Sequence, residues 1–231
     1  MSQFATVKIE DGIAVISLND GKANAFSFAM MEALNGCFDE AEAKADVIVM
    51  TSEGRAMCAG FDLKVMKEQP ERVGDMVGMG GKFLTRVFAN DKPIIIASPG
   101  HGIAAGGLLM LSADYRIGAE GEARYGLNES AIGMVLPPYG YDLAAFKINN
   151  KYLDICFVGA ELIDTPTAIK AGFLDEAVPA DQLMARAMEK AKAFQALHPK
   201  AYAGNKRLVR GATADTMIAG LADTSGLSVN V

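Results

Sequence analysis

The spacing of hydrophobic and polar residues alternates along the chain between a period of two and a helical period. The beginning predicts two short strands, residues 6–10 and Ile13–Leu18, joined by Asp11-Gly12, which is a hairpin signal. A helix capped by Ser27 follows, and residues 47–51 then predict a buried strand. Strands that alternate with helices are typical of an α/β domain.

The pattern of the remaining chain is mainly helical. Residues 71–90 have helical spacing, but Gly74, Gly78, Gly80 and Gly81 weaken this helix, so its first half is expected to be mobile. Further predicted elements are a helix start over residues 61–67, short strands at 115–117 and 123–125, and helices at 139–148, 151–158, from Thr165 onward, 181–197 and 200–221. Together these elements predict one α/β domain whose C-terminal part is helical.

The most unusual local pattern lies between residues 92 and 129. A β-branched run at residues 93–98 predicts a buried strand, and residues 108–111 predict a helix. Gly106 and Gly107 fall in the first turn of that helix, where each costs about 1 kcal/mol relative to alanine. Such a cost indicates that something must lie close against the backbone. A helix start also presents unpaired N–H groups, which favour a developing anion.

Glu129 closes this stretch and is the only acidic residue between Glu122 and Asp142. Its sequence neighbours are mostly apolar, so desolvation is expected to raise its pKa. A surface or structural glutamate is the other interpretation of the same position. An anion-stabilising backbone followed by one carboxyl group in apolar company indicates acid–base chemistry.

Composition narrows the classes of function. At 231 residues and a net charge of −6, the chain suits one large domain and is not expected to bind nucleic acid as its main role. Three widely spaced cysteines argue against a disulfide framework or a metal site, and they favour a reducing, cytoplasmic location. The N-terminus lacks a signal-peptide pattern. Residues 93–113 contain no charged side chain, but their glycines and prolines favour a protein core over a membrane span.

Several motifs, in their order and spacing, resemble the crotonase (enoyl-CoA hydratase/isomerase) family over nearly the whole chain. They are Cys58-Ala59-Gly60-Phe61-Asp62-Leu63, the stretch from Gly100 to Leu111, Ala113-Asp114-Tyr115-Arg116 and Gly126-Leu127-Asn128-Glu129. The resemblance implies an α/β fold: a crotonase-like spiral of ββα repeats with a helical C-terminal trimerisation region. Residues 1–180 would form the spiral core with the acyl-CoA site, and residues 181–231 the helical region of the same domain. Acyl-CoA thioester substrates, a homotrimer or hexamer, and no cofactor beyond the CoA of the substrate are also implied.

The same resemblance assigns roles to individual positions. A thioester enolate would be held by two backbone N–H groups, those of Phe61 and Ala105, with Glu129 as acid and base. Removing one such donor typically costs about 10²–10³ in rate. The second donor position is glycine in many relatives and alanine here, which retains the N–H group. The positions that match the family's substrate-binding surface are Ala23, Asn24, Ala59, Gly60, Asp62, Leu63, Gly106, Leu108 and Asn128.

Leu108 is the main departure from the family's pattern. Hydratases of this family usually have a second glutamate there, because adding water to a double bond needs two groups that handle protons. Moving a double bond from Δ3 to Δ2 needs one base, which removes a proton from C2 and returns it at C4. The sequence therefore favours isomerisation of 3-enoyl-CoA to 2-enoyl-CoA through Glu129, with hydration of 2-enoyl-CoA as the alternative.

Some residues keep a second interpretation at this stage. Gly60 and Gly106, taken alone, are equally consistent with simple tight turns. Asn128 either positions the thioester or caps the following turn. His101 is expected to support the glycine-rich turn rather than to act as a base. Lys206, Arg207 and Arg210 are expected to form a solvated helix face, with contact to a CoA phosphate as the alternative.

Other classes of function remain as rivals. Gly100, Gly102 and Gly106 after a strand mimic the phosphate loop of a dinucleotide-binding oxidoreductase, although the acidic residue expected after the next strand is missing. A non-catalytic acyl-CoA-binding protein is a third possibility. A serine hydrolase is poorly supported, because the chain has no GxSxG segment.

Overall fold

The computed structural model describes residues 4–221, which contain nine strands and nine α-helices. The strands are β1 (Ala5–Glu10), β2 (Ile13–Leu18), β3 (Val47–Ser52), β4 (Ala56–Cys58), β5 (Ile94–Ser98), β6 (His101–Ile103), β7 (Tyr115–Ala119), β8 (Tyr125–Gly126) and β9 (Glu176–Val178). The helices are α1 (Phe28–Lys44), α2 (Leu63–Glu68), α3 (Val73–Ala89), α4 (Ala105–Ser112), α5 (Pro138–Lys147), α6 (Asn150–Leu153), α7 (Thr165–Ala171), α8 (Leu183–Gln195) and α9 (Pro199–Gly220). Among these residues, no helix combines the length and the apolar character that a membrane span needs.

The strands form two sheets that the chain visits in turn. The larger sheet has the order β1-β2-β3-β5-β7-β9, in which only the β1–β2 pair is antiparallel, and the smaller sheet has the parallel order β4-β6-β8. The larger-sheet strands β3, β5 and β7 are each followed by a strand of the smaller sheet and then, after β4 and β6, by a helix. This alternation produces a spiral of strand–strand–helix units.

The hydrophobic core lies on both faces of the larger sheet. One face packs against α1, α3 and α4, and the other is covered by α8 through Leu183, Ala187 and Ala191. The predicted hairpin is confirmed, since Asp11 and Gly12 both have positive φ, at 49° and 75°. The predicted Ser27 cap is also confirmed, because its side chain accepts a hydrogen bond from the Met30 N–H at 3.1 Å.

Three short strands and two helix boundaries differ from the sequence prediction. The sequence predicted a turn at β4 and a glycine-rich loop at β6, and it predicted no strand at β9. Each of these has only three residues, which is too short to show an alternating pattern. Residues 151–158 divide into α6 and a π-helical turn (Asp154–Val158), and α7, for which the sequence indicates a cap at Thr165, is instead capped by Asp164.

The prediction for Lys206 and Arg210 is wrong. Both side chains are buried and pair with Asp114, at 2.7 Å from the Lys206 Nζ and 2.9 Å from the Arg210 Nη2. They lie one helical turn apart on the inner face of α9, which packs against α3 and α5. They therefore neither form a solvated face nor reach a CoA phosphate. Arg207 is exposed, as expected, and pairs with Asp91 at 2.8 Å.

Buried charges continue from this pair along the same side of the fold. Arg116 pairs with Asp175 at 2.9 Å, and the Lys147 Nζ donates to the Ala113 carbonyl at 3.1 Å. Burial, together with the nearby guanidinium groups of Arg116 and Arg210, lowers the pKa of Lys147 to about 6. Lys147 is thus mostly neutral at pH 7 in the folded protein and charged in the unfolded chain.

Replacing Lys147 should therefore change how stability depends on pH. Between pH 6 and 10 the unfolded chain binds the Lys147 proton more strongly than the folded protein does, so this residue makes stability rise with pH. Each pH unit contributes up to about 1.4 kcal/mol. We expect Lys147→Met to raise the free energy of unfolding at pH 7 and to flatten its slope, measured by urea unfolding at fixed protein concentration. Lys170→Met, at an exposed position of α7, is the control; equal slopes in wild type and Lys147→Met would contradict the expectation.

Candidate active site

The smaller sheet brings three predicted residues to one edge. Its strands β4, β6 and β8 are parallel neighbours, so their carboxyl ends meet on the same side. Phe61, Ala105 and Glu129 follow these three strands within two or three residues. Because neighbouring strands lie about 4.8 Å apart, the three residues begin close together.

The Phe61 amide is directed away from its neighbouring chain segment. The Phe26 N–H donates to the Gly60 carbonyl at 2.8 Å, and the Asp62 N–H donates to the Phe26 carbonyl at 3.2 Å. These bonds on either side of Phe61 form a parallel bridge, in which the N–H of Phe61 itself points to the opposite side. Within residues 4–221 this N–H donates no hydrogen bond.

The Ala105 amide lies at the first position of α4. The preceding residue, Ala104, has φ 54° and ψ −124°, an unusual conformation for a residue with a side chain. It is held there because its N–H donates to the Gly126 carbonyl at 2.9 Å and its carbonyl accepts from the Leu108 N–H at 3.0 Å. In the described part of the chain the Ala105 N–H has no recorded acceptor, as expected for a helix start.

Two glycines allow these amides to lie side by side. A Cβ on Gly106 would lie 1.9 Å from the Cys58 carbonyl oxygen, so only glycine lets α4 approach β4 this closely. Gly60 has φ 102°, and a Cβ there would lie 4.0 Å from the Ala105 nitrogen. The close approach predicted for the glycine-rich helix start is confirmed, and the approaching group is a backbone carbonyl of the chain itself.

The carboxyl group of Glu129 is buried without an ionic partner. The residue begins a 3₁₀ turn (Glu129–Ile132) and is only 5% exposed. Its Oε2 atom is buried and has no hydrogen-bond partner among the described residues. Desolvation raises the pKa of Glu129 from 4.5 to about 7, in the direction that its apolar sequence neighbours predict. A carboxyl group with this pKa exchanges protons readily near neutral pH.

Leu108 lies among apolar side chains between α4 and α5. It is fully buried in α4, and a Cβ built on Gly140 would lie 3.5 Å from its Cδ1 and 3.2 Å from the Cδ2 of Leu136. Leu108 therefore packs toward α5 with hydrocarbon contacts. No proton-transferring group occupies this position.

The residues predicted to bind CoA lie on two linked loops. The Ala59 N–H donates to the Ala23 carbonyl at 3.0 Å, which ties the loop before α1 to the loop before α2. The Asn24 side chain is buried and donates to the Glu53 and Ala56 carbonyls at 3.1 and 2.9 Å, so it organises the loop from within. Asp62 caps α2 by accepting from the Lys64 N–H at 2.8 Å, and Leu63 is 53% exposed.

Two further predictions concern turns. The His101 Nδ1 accepts a hydrogen bond from the Arg124 N–H at 2.9 Å, so His101 holds the segment before β8; its support of the glycine-rich turn stays a prediction. Asn128 precedes the 3₁₀ turn, but its side chain makes no capping hydrogen bond, and its backbone carbonyl accepts from the Ala131 N–H at 3.1 Å. Its role toward a thioester stays a prediction.

Sequence reasoning missed Tyr139, Gly80 and Gly81. Tyr139 of α5 is fully buried, and its hydroxyl donates to the Val77 carbonyl of α3 at 2.9 Å. Burial and the neighbouring Glu129 carboxylate both raise the pKa of the Tyr139 hydroxyl. The pair of adjacent glycines in α3 was the available signal, but it was interpreted as a weak point of the helix.

Comparison with known proteins identifies the family. The family model described as "Enoyl-CoA hydratase/isomerase" matches residues 8–230. The chain belongs to this family. A crystal structure of an enoyl-CoA hydratase/isomerase family protein from Pseudomonas syringae matches with a TM-score of 0.95 and 34% identity, over 98% of this chain and 99% of that chain. The predicted crotonase-like fold is thereby confirmed, and the oxidoreductase alternative is removed.

Relatives in this family carry different reaction names. Mitochondrial enoyl-CoA delta isomerase 1 from Mus musculus is 27% identical over 90% of this chain and 73% of its own length. Carnitinyl-CoA dehydratase from Salmonella typhi is 31% identical over 91% of this chain and 81% of its own length. The enoyl-CoA hydratase/isomerase family membership is therefore firm, whereas these names do not select one reaction.

The contact between Gly106 and Cys58 generates a stability prediction. We expect Gly106→Ala to lower the free energy of unfolding by about 1–3 kcal/mol, the usual cost of overpacking, because the new methyl group would overlap a backbone carbonyl. Gly36→Ala is a matched control, since a Cβ at this α1 position meets nothing within 4 Å. It should raise stability by up to about 1 kcal/mol. Equal melting temperatures for the two variants would contradict this account.

The buried carboxyl group should also reduce stability at high pH. Because the folded pKa of Glu129 is raised to about 7, the folded protein binds this proton more strongly than the unfolded chain does. Stability should therefore fall as pH rises from 4.5 to 7, by up to about 1.4 kcal/mol per pH unit. Glu129→Gln should remove this loss and be the more stable protein at pH 8, measured by chemical unfolding. Glu122→Gln, at an exposed position, should keep the wild-type profile.

Proposed function

We propose that this enzyme shifts the double bond of 3-enoyl-CoA to give 2-enoyl-CoA, with Glu129 as the single acid–base group. The observation that carries the proposal is one buried carboxyl group of raised pKa, together with a buried leucine, Leu108, at the position that matches the second acid of the family's hydratases. Family membership supports an acyl-CoA thioester as the substrate.

The reaction begins when the Glu129 carboxylate removes a proton from C2 of the substrate. The electron pair moves onto the thioester oxygen, which becomes an enolate oxygen. The N–H groups of Phe61 and Ala105, which have no acceptor within residues 4–221, would donate to this oxygen as its negative charge develops. Glu129 then returns the proton at C4 while the double bond forms between C2 and C3, so that atoms and charge balance.

Burial suits Glu129 to both steps. A carboxyl group with a pKa near 7 is a stronger base than an exposed one, and once protonated it is still acidic enough to return the proton. Hydration would require a second group to handle the proton of a water molecule. The hydrocarbon side chain of Leu108 cannot take that role, which favours isomerisation. Hydration or dehydration remains the second candidate, because a dehydratase is among the relatives.

The CoA portion of the substrate is proposed to lie along the two linked loops before α1 and α2. Ala59 and Leu63 are exposed there, and Ala23 and Asp62 are partly exposed, so a ligand can reach these positions. CoA enters as part of the substrate, and no further cofactor is proposed. A homotrimer or a hexamer of two trimers, as is usual in the family, is the proposed assembly.

We expect the wild-type enzyme to convert a short 3-enoyl-CoA into the conjugated 2-enoyl-CoA. The conversion is measured by the ultraviolet absorbance of the product. Glu129→Gln should lower kcat by at least about 10²-fold, because the amide cannot accept the C2 proton. In wild type, kcat/KM should fall below pH 7 as the carboxylate becomes protonated. Glu122→Gln should retain both the rate and the pH profile.

Parallel assays with crotonyl-CoA separate the candidates. Efficient hydration of crotonyl-CoA with no conversion of 3-enoyl-CoA would reject isomerisation in favour of hydration. Binding of both thioesters without turnover of either would support a non-catalytic acyl-CoA-binding protein.

A further inference from the structure

Two adjacent glycines in the middle of α3, Gly80 and Gly81, form a notch that the proposed mechanism does not use. Each glycine within a helix costs about 1 kcal/mol relative to alanine. Both are buried, and α3 continues without interruption on either side of them. We call this pair the glycine notch.

The first glycine of the notch receives the ring of Phe61. A Cβ on Gly80 would lie 2.5 Å from Cε1 and 2.7 Å from Cζ of that ring, far inside normal contact distance. On another side the ring packs edge-on against Phe26, with ring centroids 6.1 Å apart. Phe26 is also the residue whose backbone bonds direct the Phe61 amide. The ring and the amide of Phe61 are therefore fixed by the same neighbours.

The second glycine receives the ring of Tyr139. A Cβ on Gly81 would lie 2.5 Å from Cε1 and 2.8 Å from Cζ of Tyr139, and 2.5 Å from a methyl group of Leu221. The Tyr139 hydroxyl donates to the Val77 carbonyl, one helical turn before Gly81, so Tyr139 contacts α3 at both positions. The Glu129 carboxylate raises the pKa of the Tyr139 hydroxyl, so the two groups lie within electrostatic reach of one another.

We propose that the glycine notch is a positioning element that fixes the Phe61 amide and the Tyr139 ring, near Glu129, relative to one another. This inference rests on the proposed function. Phe61 and Tyr139 are far apart in sequence, yet adjacent residues of one helix contact both. A proton transfer beside a developing oxyanion needs such fixed geometry, since a misplacement of about 1 Å can cost 10²-fold in rate.

The two glycines should affect different kinetic quantities. Gly80→Ala should lower kcat by about 10–10²-fold with little change in KM, because it displaces the Phe61 ring and with it the amide. Gly81→Ala should shift the acidic limb of the pH–rate profile to lower pH, because displacing Tyr139 admits water to Glu129. Gly36→Ala, which meets nothing within 4 Å, should change neither quantity.

Double variants test whether each glycine acts through its ring. Phe61→Leu keeps the amide and gives the new methyl group space, so Gly80→Ala should cost less than about 3-fold in that background. Gly81→Ala should be similarly tolerated when Tyr139→Leu is combined with Leu221→Ala, because Tyr139 and Leu221 both lie 2.5 Å from the new Cβ. In the crossed double variants, Gly80→Ala with Tyr139→Leu and Gly81→Ala with Phe61→Leu, the effects of the two substitutions should be additive. The proposal would be overturned if the single glycine variants fold and keep the wild-type kcat and pH profile. It would also be overturned if the effect of each glycine substitution is undiminished when the ring that it contacts is also replaced.

Two measurements keep the test independent of folding and of the reaction. If a glycine variant does not fold, Phe61→Leu alone should lower kcat, with a melting temperature that shows a folded protein. An unchanged kcat would refute the claim that the Phe61 ring positions the Phe61 amide. A carbon-13 titration of the Glu129 carboxyl, assigned with Glu129→Gln, needs no substrate. A lower titration midpoint in Gly81→Ala supports the claim that Gly81 acts on Glu129 through Tyr139, and an unchanged midpoint refutes it. Absence of isomerase activity in wild type would reject the proposed function and leave this titration informative.

Discussion

The whole site depends on one close approach between backbones, where α4 lies directly against the last carbonyl of β4. Gly106 makes this possible, because a Cβ there would lie 1.9 Å from the Cys58 oxygen. The approach brings the start of α4 beside the turn that follows β4, so the amides of Phe61 and Ala105 become neighbours. In the proposed mechanism, two amides fixed in this way need no rearrangement when a negative charge develops beside them.

Charges are buried very differently at the two ends of α4. At its C-terminal end, the Ser112 and Ala113 carbonyls accept from Arg210, and Asp114 pairs with both Lys206 and Arg210. Buried charges that are paired and hydrogen-bonded can hold elements together, and here they attach α9 to the core. Near the other end, Glu129 has no ionic partner among residues 4–221, so desolvation keeps its proton affinity high. The unpaired group is the one suited to chemistry.

Glycine has three distinct uses around this site, and sequence alone does not separate them. Gly60 adopts a positive φ, Gly106 lets two backbones meet, and Gly80 and Gly81 make room for aromatic rings. In the sequence, the two glycines of α3 predicted a weak helix. In the structure they are contact positions, because the rings that fill the space come from residues 19 positions before Gly80 and 58 positions after Gly81.

The sequence by itself determined the α/β class, the longer strands and helices, the β1–β2 hairpin, the glycine-rich helix start and the single carboxyl group in apolar company. These follow from local periodicity, turn chemistry and motif order, which neighbouring residues encode. Tertiary structure alone decided the short strands β4, β6 and β9, the inward orientation of Lys206 and Arg210 toward Asp114, and the contacts of Gly80 and Gly81 with Phe61 and Tyr139. Each depends on partners far away in the chain, and local sequence carries no signal of which distant residues will meet.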